Sequence, residues 1–159
     1  MPADMFLKLE GITGESLDNK HPGEIEILSY SWGASQMGTF AGGSGGGAGK
    51  VAYQDFHFTK VLDKATPELL KRCSNGSHIT KATLTVRKAG GKQEEYHKVV
   101  FSDCLVSSFQ AAGSGSDIVN ESISLNFAKI EFEYKEQKAD GSLGGAVTMS
   151  HDLKKMVTT

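Results

Sequence analysis

The stretch 78-HITKATLTVRKAGGKQEEYHKVVF-101 carries the pattern that decides the fold. Ala82, Leu84 and Val86 alternate with polar neighbours, and this period of two is typical of a half-buried β-strand. Gly90-Gly91 then turns the chain, and residues 93–101 form a second strand pattern. Two strands joined by a glycine turn predict an antiparallel β-hairpin.

Strand patterns continue on both sides of this hairpin. Between residues 24 and 32 the apolar alternation moves by one residue after Ile27, and this shift predicts a bulge or a sharp twist. Ser29 and Ser31 then lie on the face opposite Tyr30 and Trp32. We expect the core side of this strand to consist of Leu28, Tyr30 and Trp32. The other predicted strands are 5–10, 51–60, 105–110, 118–127, 130–135 and 146–151.

One segment predicts a short helix. Thr66 suits the N-cap, Pro67 suits the first helical position, and Gly76 supplies a left-handed stop. Its apolar side consists of Leu69, Leu70 and Cys73. Several short strands and one helix predict a mainly β fold: an antiparallel β-barrel of two packed sheets with one short flanking α-helix. We expect residues 1–159 to form a single domain of this kind.

Charge and hydropathy exclude several classes of protein. The 17 basic and 19 acidic residues form no block of like charge, which argues against a nucleic-acid-binding surface. No apolar run approaches the ~18 residues that span a bilayer, so no membrane insertion is expected. The N-terminus lacks a basic segment followed by an apolar one, so we expect synthesis in a reducing cytosol without a secretory signal peptide. Cys73 and Cys104 are therefore expected to be unpaired, buried and inert.

Glycine is the one strong compositional deviation. Eight of the 19 glycines fall between Gly33 and Gly49, where they interrupt two strand patterns. An excursion of about 18 residues is long for a hairpin loop, and such loops are usually functional or ordered by a partner. The sequence therefore predicts an extended glycine-rich loop at about 33–50.

Two stretches of this loop are similar to functional motifs, one catalytic and one phosphate-binding. Residues 42–46 satisfy G-x-S-x-G, but a glycine tract around Ser44 cannot hold a nucleophile against a base and an oxyanion hole. Gly49-Lys50 ends like a phosphate-binding loop, yet Ser44 replaces its first glycine and Val51 its hydroxyl residue. The histidines also lack zinc-site spacing in sequence, although a pairing across a sheet stays open: His21, His57, His78, His97 and His151. We expect no catalytic, cofactor or metal site.

Apolar residues on both faces of the late strands indicate surfaces that meet neighbouring copies. Motifs spread from Asp4 to about Met149 identify the kind of assembly. They are 14–16 (GES) with His21, 31–33 (SWG), 45–51 (GGGAGKV), 54–55 (QD), 63–64 (DK) with Pro67, 87–91 (RKAGG), 126–128 (NFA) and 137–141 (QKADG). In these motifs the chain resembles the Hcp family, the haemolysin-coregulated tube proteins of bacterial type VI secretion systems.

The resemblance implies a structural role rather than an enzymatic one. Family members are β-barrels with a flanking helix, and six copies form a ring. Rings stack into a tube inside a contractile sheath and are expelled with a spike protein at the tip. The expected partners are therefore other copies of the chain, the sheath, the spike and small secreted effectors carried in the ring lumen. We expect export from the cytoplasm to the exterior without a cleaved signal peptide.

The resemblance also assigns roles to two sets of residues. Ser29 and Ser31 are expected to face the lumen and effectors. The glycine-rich loop is expected to contact the next ring through Gly38, Thr39, Phe40, Gly42, Gly43, Ser44, Gly45, Gly46, Gly47, Gly49 and Lys50. Two alternatives stay open: an effector-binding carrier ring that forms no tube, and a serine hydrolase.

Overall fold

The protein is seen here in a computed structural model that describes residues 3–38 and 48–159. Within these ranges the chain is mainly antiparallel β-structure with one short helix, as the sequence predicts. The elements are β1 (Ala3–Leu9), β2 (Ile25–Glu26), β3 (Ser29–Ser31), β4 (Ala34–Gly38), β5 (Ala48–Tyr53), β6 (Phe56–Val61), α1 (Thr66–Asn75), β7 (Ile79–Lys88), β8 (Glu95–Ala112), β9 (Asn120–Asn126), β10 (Lys129–Gln137), β11 (Leu143–Asp152) and β12 (Val157–Thr158).

Sheet 1 contains the hairpin that the opening stretch predicts. Its strand order is β12-β11-β10-β8-β7-β1-β2, and all neighbours are antiparallel. In the hairpin Leu84 pairs with Val99 and Ala82 with Phe101, and all four side chains are fully buried. The β7–β8 hairpin is therefore confirmed.

Strand β8 belongs to both sheets. Its first half pairs with β7 and β10 in sheet 1, and its second half pairs with β9. The sequence predicted two strands here, at 93–101 and 105–110, and that interruption was wrong. Asp103 adopts a left-handed conformation (φ 54°), which bends the strand without ending it. A long strand that changes sheets is one of the ways in which two sheets are joined at a corner.

Sheet 2 has the order β3-β6-β9-β8 and packs against sheet 1. On the side away from β8, the chain passes from sheet 1 to sheet 2 at residues 27–28. The Ile27 N–H donates to Met5 O of β1 (3.2 Å), whereas the Leu28 N–H donates to Thr59 O of β6 (2.8 Å). This switch is the twist that the sequence predicted. Among the described strands the ladder is interrupted at this switch, so the two sheets form a barrel that is not fully closed.

Aromatic side chains fill the space between the sheets. The Phe101 ring lies 4.7 Å from the Phe56 ring and 4.6 Å from the Phe127 ring, measured between centroids. Trp32 is half-buried and meets Phe101 edge-on at 6.4 Å. The expected core position of Trp32 is confirmed in that it packs against this cluster. Leu28, expected beside it, is 57% exposed because the switch between sheets turns it outward.

The α1 helix follows the sequence prediction except at its first residue. Pro67 lies in the first turn and Gly76 (φ 71°) ends the helix, as predicted. Thr66 was wrong as the N-cap, since that position is Ala65 and no side chain caps it. Instead the Asp63 carboxylate accepts the Ala65 N–H (2.9 Å), which orders the turn before the helix. Leu69 is fully buried, whereas Leu70 is 48% exposed.

A buried ion pair joins the helix to sheet 2. Lys60 Nζ has no exposed surface and contacts Glu121 Oε1 at 2.6 Å and Asp63 Oδ1 at 2.7 Å. Lys60 also donates to Thr66 Oγ1 (2.9 Å). Because Lys60 and Glu121 are direct partners in the β6–β9 ladder, this charge pair crosses the sheet on its core side.

Cys73 and Cys104 are both free thiols. Cys104 is buried, and burial raises the pKa of its thiol to about 12. Cys73 is half-buried against the core. Since the thiolate is the reactive form, the burial of Cys104 supports the expected inertness, which stays a prediction.

Candidate functional site

The outer face of sheet 2 is covered by small polar side chains. In one row across the strands, Ser29 pairs with Thr59 and Thr59 with Ser122. A second row joins positions on all four strands: Ser31, His57, Ser124 and Ser108. Both serines singled out from the sequence therefore lie on this surface, which we call the serine face.

Hydrogen bonds between neighbouring strands fix these side chains. The Ser29 and Thr59 hydroxyls are 2.6 Å apart. Ser124 is almost fully buried, and its hydroxyl bonds those of Ser107 (2.7 Å) and Ser108. Such cross-strand hydroxyl pairs stabilise the ladder. Because these side chains are short, they do not protrude far from the sheet.

Asp55 closes one end of the serine face. Its carboxylate accepts a hydrogen bond from the Ser107 hydroxyl (2.6 Å) and another from the Asn126 amide (2.9 Å). The two bonds come from β8 and β9, so Asp55 joins the turn before β6 to both strands. Away from Asp55, His57 is the one titratable residue in the two rows described above.

The reverse side of the same strands belongs to the core. Phe58 and Ile123 are at most 1% exposed, and Tyr30 stacks on Phe56 at 6.1 Å between ring centroids. Burial also raises the pKa of Tyr30. Because the strands alternate, this packing fixes the serine side chains on the outer side.

The predicted glycine-rich loop at about 33–50 begins and ends in two strands that pair with each other. Ala34 pairs with Tyr53 and Gly38 with Ala48, so strands β4 and β5 occupy part of the range 33–50 that was expected to be loop. Lys50 is exposed on β5. Alternation could not predict β4, since every one of its residues is exposed. Of the expected inter-ring residues, these lie outside the described residues: Thr39, Phe40, Gly42, Gly43, Ser44, Gly45, Gly46 and Gly47.

The remaining sites considered from the sequence are the serine motif, a metal centre and a membrane-spanning segment. The G-x-S-x-G motif around Ser44 also falls outside the described residues. In the ranges 3–38 and 48–159, no three His, Cys, Asp or Glu side chains converge as ligands of a metal ion would. The α1 helix is ten residues long, and no described helix has the length and apolarity to cross a membrane.

A polar cluster that sequence reasoning missed lies on the outer face of sheet 1. Arg87, only 3% exposed, donates two hydrogen bonds to the Asp18 carboxylate (2.5 and 2.9 Å) and two to Asp4 (both 3.3 Å). Phe6 lies between the Arg87 guanidinium, 4.7 Å from its ring, and the His21 imidazole, stacked at 4.5 Å. The hydrogen bonds that Arg87 donates lower the pKa of Asp18 to about 2.

The same cluster fixes His21 between two acidic groups. Its Nδ1 lies 2.8 Å from Glu24 Oε2 and its Nε2 2.6 Å from Glu95 Oε1. These contacts attach the segment 11–24 to the first residue of β8. A signal was present in the sequence, since Arg87 and His21 both belong to the motifs that carry the family resemblance.

Comparisons with known proteins agree on one family. A family model described as "Type VI secretion system effector, Hcp" matches residues 6–134. Protein hcp1 of Pseudomonas aeruginosa is 47% identical over 160 residues, and the match covers 99% of both chains. The crystal structure of Hcp1 from Salmonella typhimurium matches over 100% of both chains with a TM-score of 0.82 and 34% identity.

A solved structure described as a type six secretion system protein also has this fold. It superimposes with a TM-score of 0.93 at 28% identity, over 99% of this chain and 100% of the other. The matches to sequence and to structure both extend over most of the chain. This chain therefore belongs to the Hcp family of type VI secretion proteins.

Proposed function

We propose that this chain is the structural subunit of a type VI secretion tube. Six copies form a ring, rings stack inside a contractile sheath, and contraction expels them with a spike protein. The serine face lines the ring lumen, where small effector proteins are carried. The chain is made in the cytoplasm and leaves the cell through this apparatus.

The two free edges of sheet 2 carry this proposal. Within the described residues, β3 pairs only with β6, and the second half of β8 pairs only with β9. Unpaired strand edges present rows of N–H and C=O groups that favour pairing with another chain. If β3 of one copy pairs with β8 of the next, sheet 2 continues from copy to copy. Repetition of such a head-to-tail contact around a rotation axis closes a ring.

The relative sizes of the sheets support the serine face as the inner surface. Sheet 2 has four strands, whereas sheet 1 contains seven. In a ring the smaller sheet fits the smaller radius, with sheet 1 outside it. The serine face, which points away from sheet 1, would then face the axis of the ring.

A part of sheet 1 that sheet 2 leaves uncovered supports the same contact. Strands β10 to β12 extend beyond β8, the corner where the two sheets meet. On the core side of this extension, Tyr134 pairs with Val147, and their side chains are 42% and 69% exposed. A neighbouring copy paired with the second half of β8 would lie over these two residues and bury them.

The chemistry of the serine face suits a passage for folded proteins. Short hydroxyl side chains leave the bore wide, and they form hydrogen bonds with many partners without requiring one charge pattern. Such a surface would retain cargo weakly and release it. The carrier role therefore accompanies the tube role, and a carrier ring that never stacks remains the alternative.

Family membership supports a protein that is not an enzyme. The Hcp family consists of structural and secreted components of the type VI system rather than of known enzymes. Sheath, spike and export are proposed for this chain on the same ground.

A single exposed residue tests the proposed contact. Val147→Lys should prevent ring formation, because the lysine charge would be buried against the neighbouring copy. Thr148→Lys is the matched control, since Thr148 is also exposed but lies on the opposite side of β11. Static light scattering should find a ring for wild type and Thr148→Lys but a monomer for Val147→Lys. Equal masses for the two variants would contradict the proposed neighbour contact.

A further inference from the structure

His57 is the largest side chain in its row of the serine face. It lies within β6 and pairs with Ser31 of β3 on one side and with Ser124 of β9 on the other. Ser108 of β8 completes the row, so every other member is a serine. His57 is exposed, and its imidazole is longer than the hydroxymethyl groups beside it. A protein that passes along this face would therefore meet the His57 ring before the serine hydroxyls.

The hydroxyl groups around His57 bond to one another. The Ser29 and Thr59 hydroxyls are 2.6 Å apart, and those of Ser107 and Ser124 are 2.7 Å apart. Ser124 is only 2% exposed, so little of it is left for a partner. Hydroxyl groups carry no formal charge and both donate and accept hydrogen bonds. Alone they would favour neither acidic nor basic proteins.

Few charged groups lie near His57. On the outer side the nearest in sequence is Asp55, whose carboxylate accepts hydrogen bonds from Ser107 and Asn126. The other charged residues of β3, β6 and β9 are Lys60 and Glu121, which are buried on the core side and contact each other at 2.6 Å. The neighbouring positions on β3, β9 and β8 are serines. Residues 39–47 contain no charged amino acid either.

The charge of the serine face therefore depends on two groups. Asp55 contributes one negative charge to each copy. Histidine is the side chain that gains or loses its charge between about pH 5 and 8. Each copy thus presents a net negative charge here when His57 is neutral, and a balanced pair of charges when His57 is protonated. A concave surface that repeats such charges around a ring axis strengthens their effect on a charged partner.

We propose that His57 makes the serine face select its cargo by surface charge, in a manner that depends on pH. This selection rests on the proposed lumen role of the serine face and adds the class of cargo. With neutral His57, the Asp55 carboxylates favour proteins with a basic surface. With protonated His57, the imidazolium offsets Asp55 and offers a partner to proteins with an acidic surface.

His57 can be changed without disturbing the proposed ring. Strand β6 is an inner strand of sheet 2, paired with β3 and β9, whereas the proposed contact between copies uses the edges β3 and β8. The His57 side chain is exposed, so its replacement opens no cavity in the core. Variants at this position should therefore report on cargo rather than on assembly.

Binding of two labelled probe proteins to the wild-type ring tests this selection. Both probes are small folded proteins without histidine, one with an acidic and one with a basic surface. Fluorescence anisotropy measures their affinities at about pH 5.5 and about pH 8. At the lower pH the acidic probe should bind about two- to fivefold more tightly, the size expected of exposed charge contacts, and the basic probe less tightly. Salt near 1 M, which screens charges beyond roughly 3 Å, should remove both differences.

Three variants assign the effect to His57. His57→Gln should lose the pH dependence, whereas His78→Gln should keep it. His78 is the matched control because it is also exposed but follows α1, outside the serine face. His57→Lys carries its charge at both pH values. At about pH 8 it should bind the acidic probe as tightly as wild type does at about pH 5.5.

The outcomes separate this inference from the proposed function. A pH dependence that persists in His57→Gln would overturn the role of His57 alone, and so would a wild-type ring that binds each probe equally at the two pH values. A wild-type ring that binds neither probe would contradict the carrier role of the serine face and the selection that depends on it. A wild-type chain that stays monomeric would contradict the ring itself.

Discussion

Arg87 shows at the scale of single residues why a charge can be buried here. Its guanidinium donates two hydrogen bonds to the Asp18 carboxylate, and its flat side lies over the Phe6 ring. Both its N–H groups and its planar surface therefore have partners. An arginine in a strand pattern is normally assigned to solvent, because alternation gives no information about a covering loop. The sequence could therefore place Arg87 on the outer side of β7 but could not predict its burial.

Asp18 gives the protein a pH dependence in the acid range. Arg87 lowers the pKa of Asp18 from 3.8 to about 2, so the folded state binds this proton less readily than the unfolded state. The interaction stabilises the protein above pH 3.8 and is lost as the pH falls towards about 2. Urea unfolding at a series of pH values should show this loss for wild type but not for Asp18→Asn, which should be less stable at neutral pH. If the free energies of unfolding of wild type and Asp18→Asn depended on pH in the same way, Asp18 would not be the source of this pH dependence.

Trp32 and Leu28 make a matched pair for the core. Trp32 packs against Phe101 and Phe132, whereas Leu28 is 57% exposed. Trp32→Ala should lower the free energy of unfolding by about 3 kcal/mol through lost burial and an added cavity. Leu28→Ala should change it by roughly 0.5 kcal/mol, as is usual at exposed positions. Denaturant unfolding measures both, and similar losses would show that the two side chains were assigned to the wrong faces.

At the scale of elements, alternation predicted strands well wherever one face is buried. The β7–β8 hairpin and strands β1, β9, β10 and β11 were found close to their predicted ranges. Alternation gives no reliable signal where the chain changes surroundings within a strand. Strand β8 bends at exposed Asp103, so its two halves bury different faces, and the fully buried Lys60 depends on Glu121 from another strand. Neither feature leaves a local pattern.

The bend of β8 can be tested at Asp103. Its left-handed backbone (φ 54°) is unfavourable for a β-branched residue and favourable for glycine. Asp103→Val should therefore cost about 1–2 kcal/mol of unfolding free energy, while Asp103→Gly should be close to neutral. Because Asp103 is exposed, burial does not complicate the comparison. Equal stability of the two variants in thermal or urea unfolding would mean that the bend does not need this conformation.

At the scale of the whole molecule, the serine face connects the fold to the proposed transport of effectors. The sequence predicted that Ser29 and Ser31 share the side opposite Tyr30 and Trp32, and the structure confirms this alternation. The sequence alone could not predict that Thr59, Ser122 and Ser124 extend the same surface, because the order of strands in a sheet is not encoded locally. The lumen role of the surface stays a proposal.

Ser31 provides the test of that role. Ser31→Gln places a longer side chain in the proposed lumen, so the ring should still form but should retain a co-expressed effector protein less well. The fraction of effector that elutes with the ring in size-exclusion chromatography measures this. A ring that dissociates, or an intact variant ring with unchanged retention, would remove Ser31 from the effector-binding surface.

We expect the free edges of sheet 2 to close into a ring of identical subunits. Static light scattering of the purified wild-type chain at tens of micromolar measures this most directly, without mutation or partner. We expect a single species of six times the 17.0 kDa chain mass. A monodisperse species of 17.0 kDa at the same concentration would contradict it.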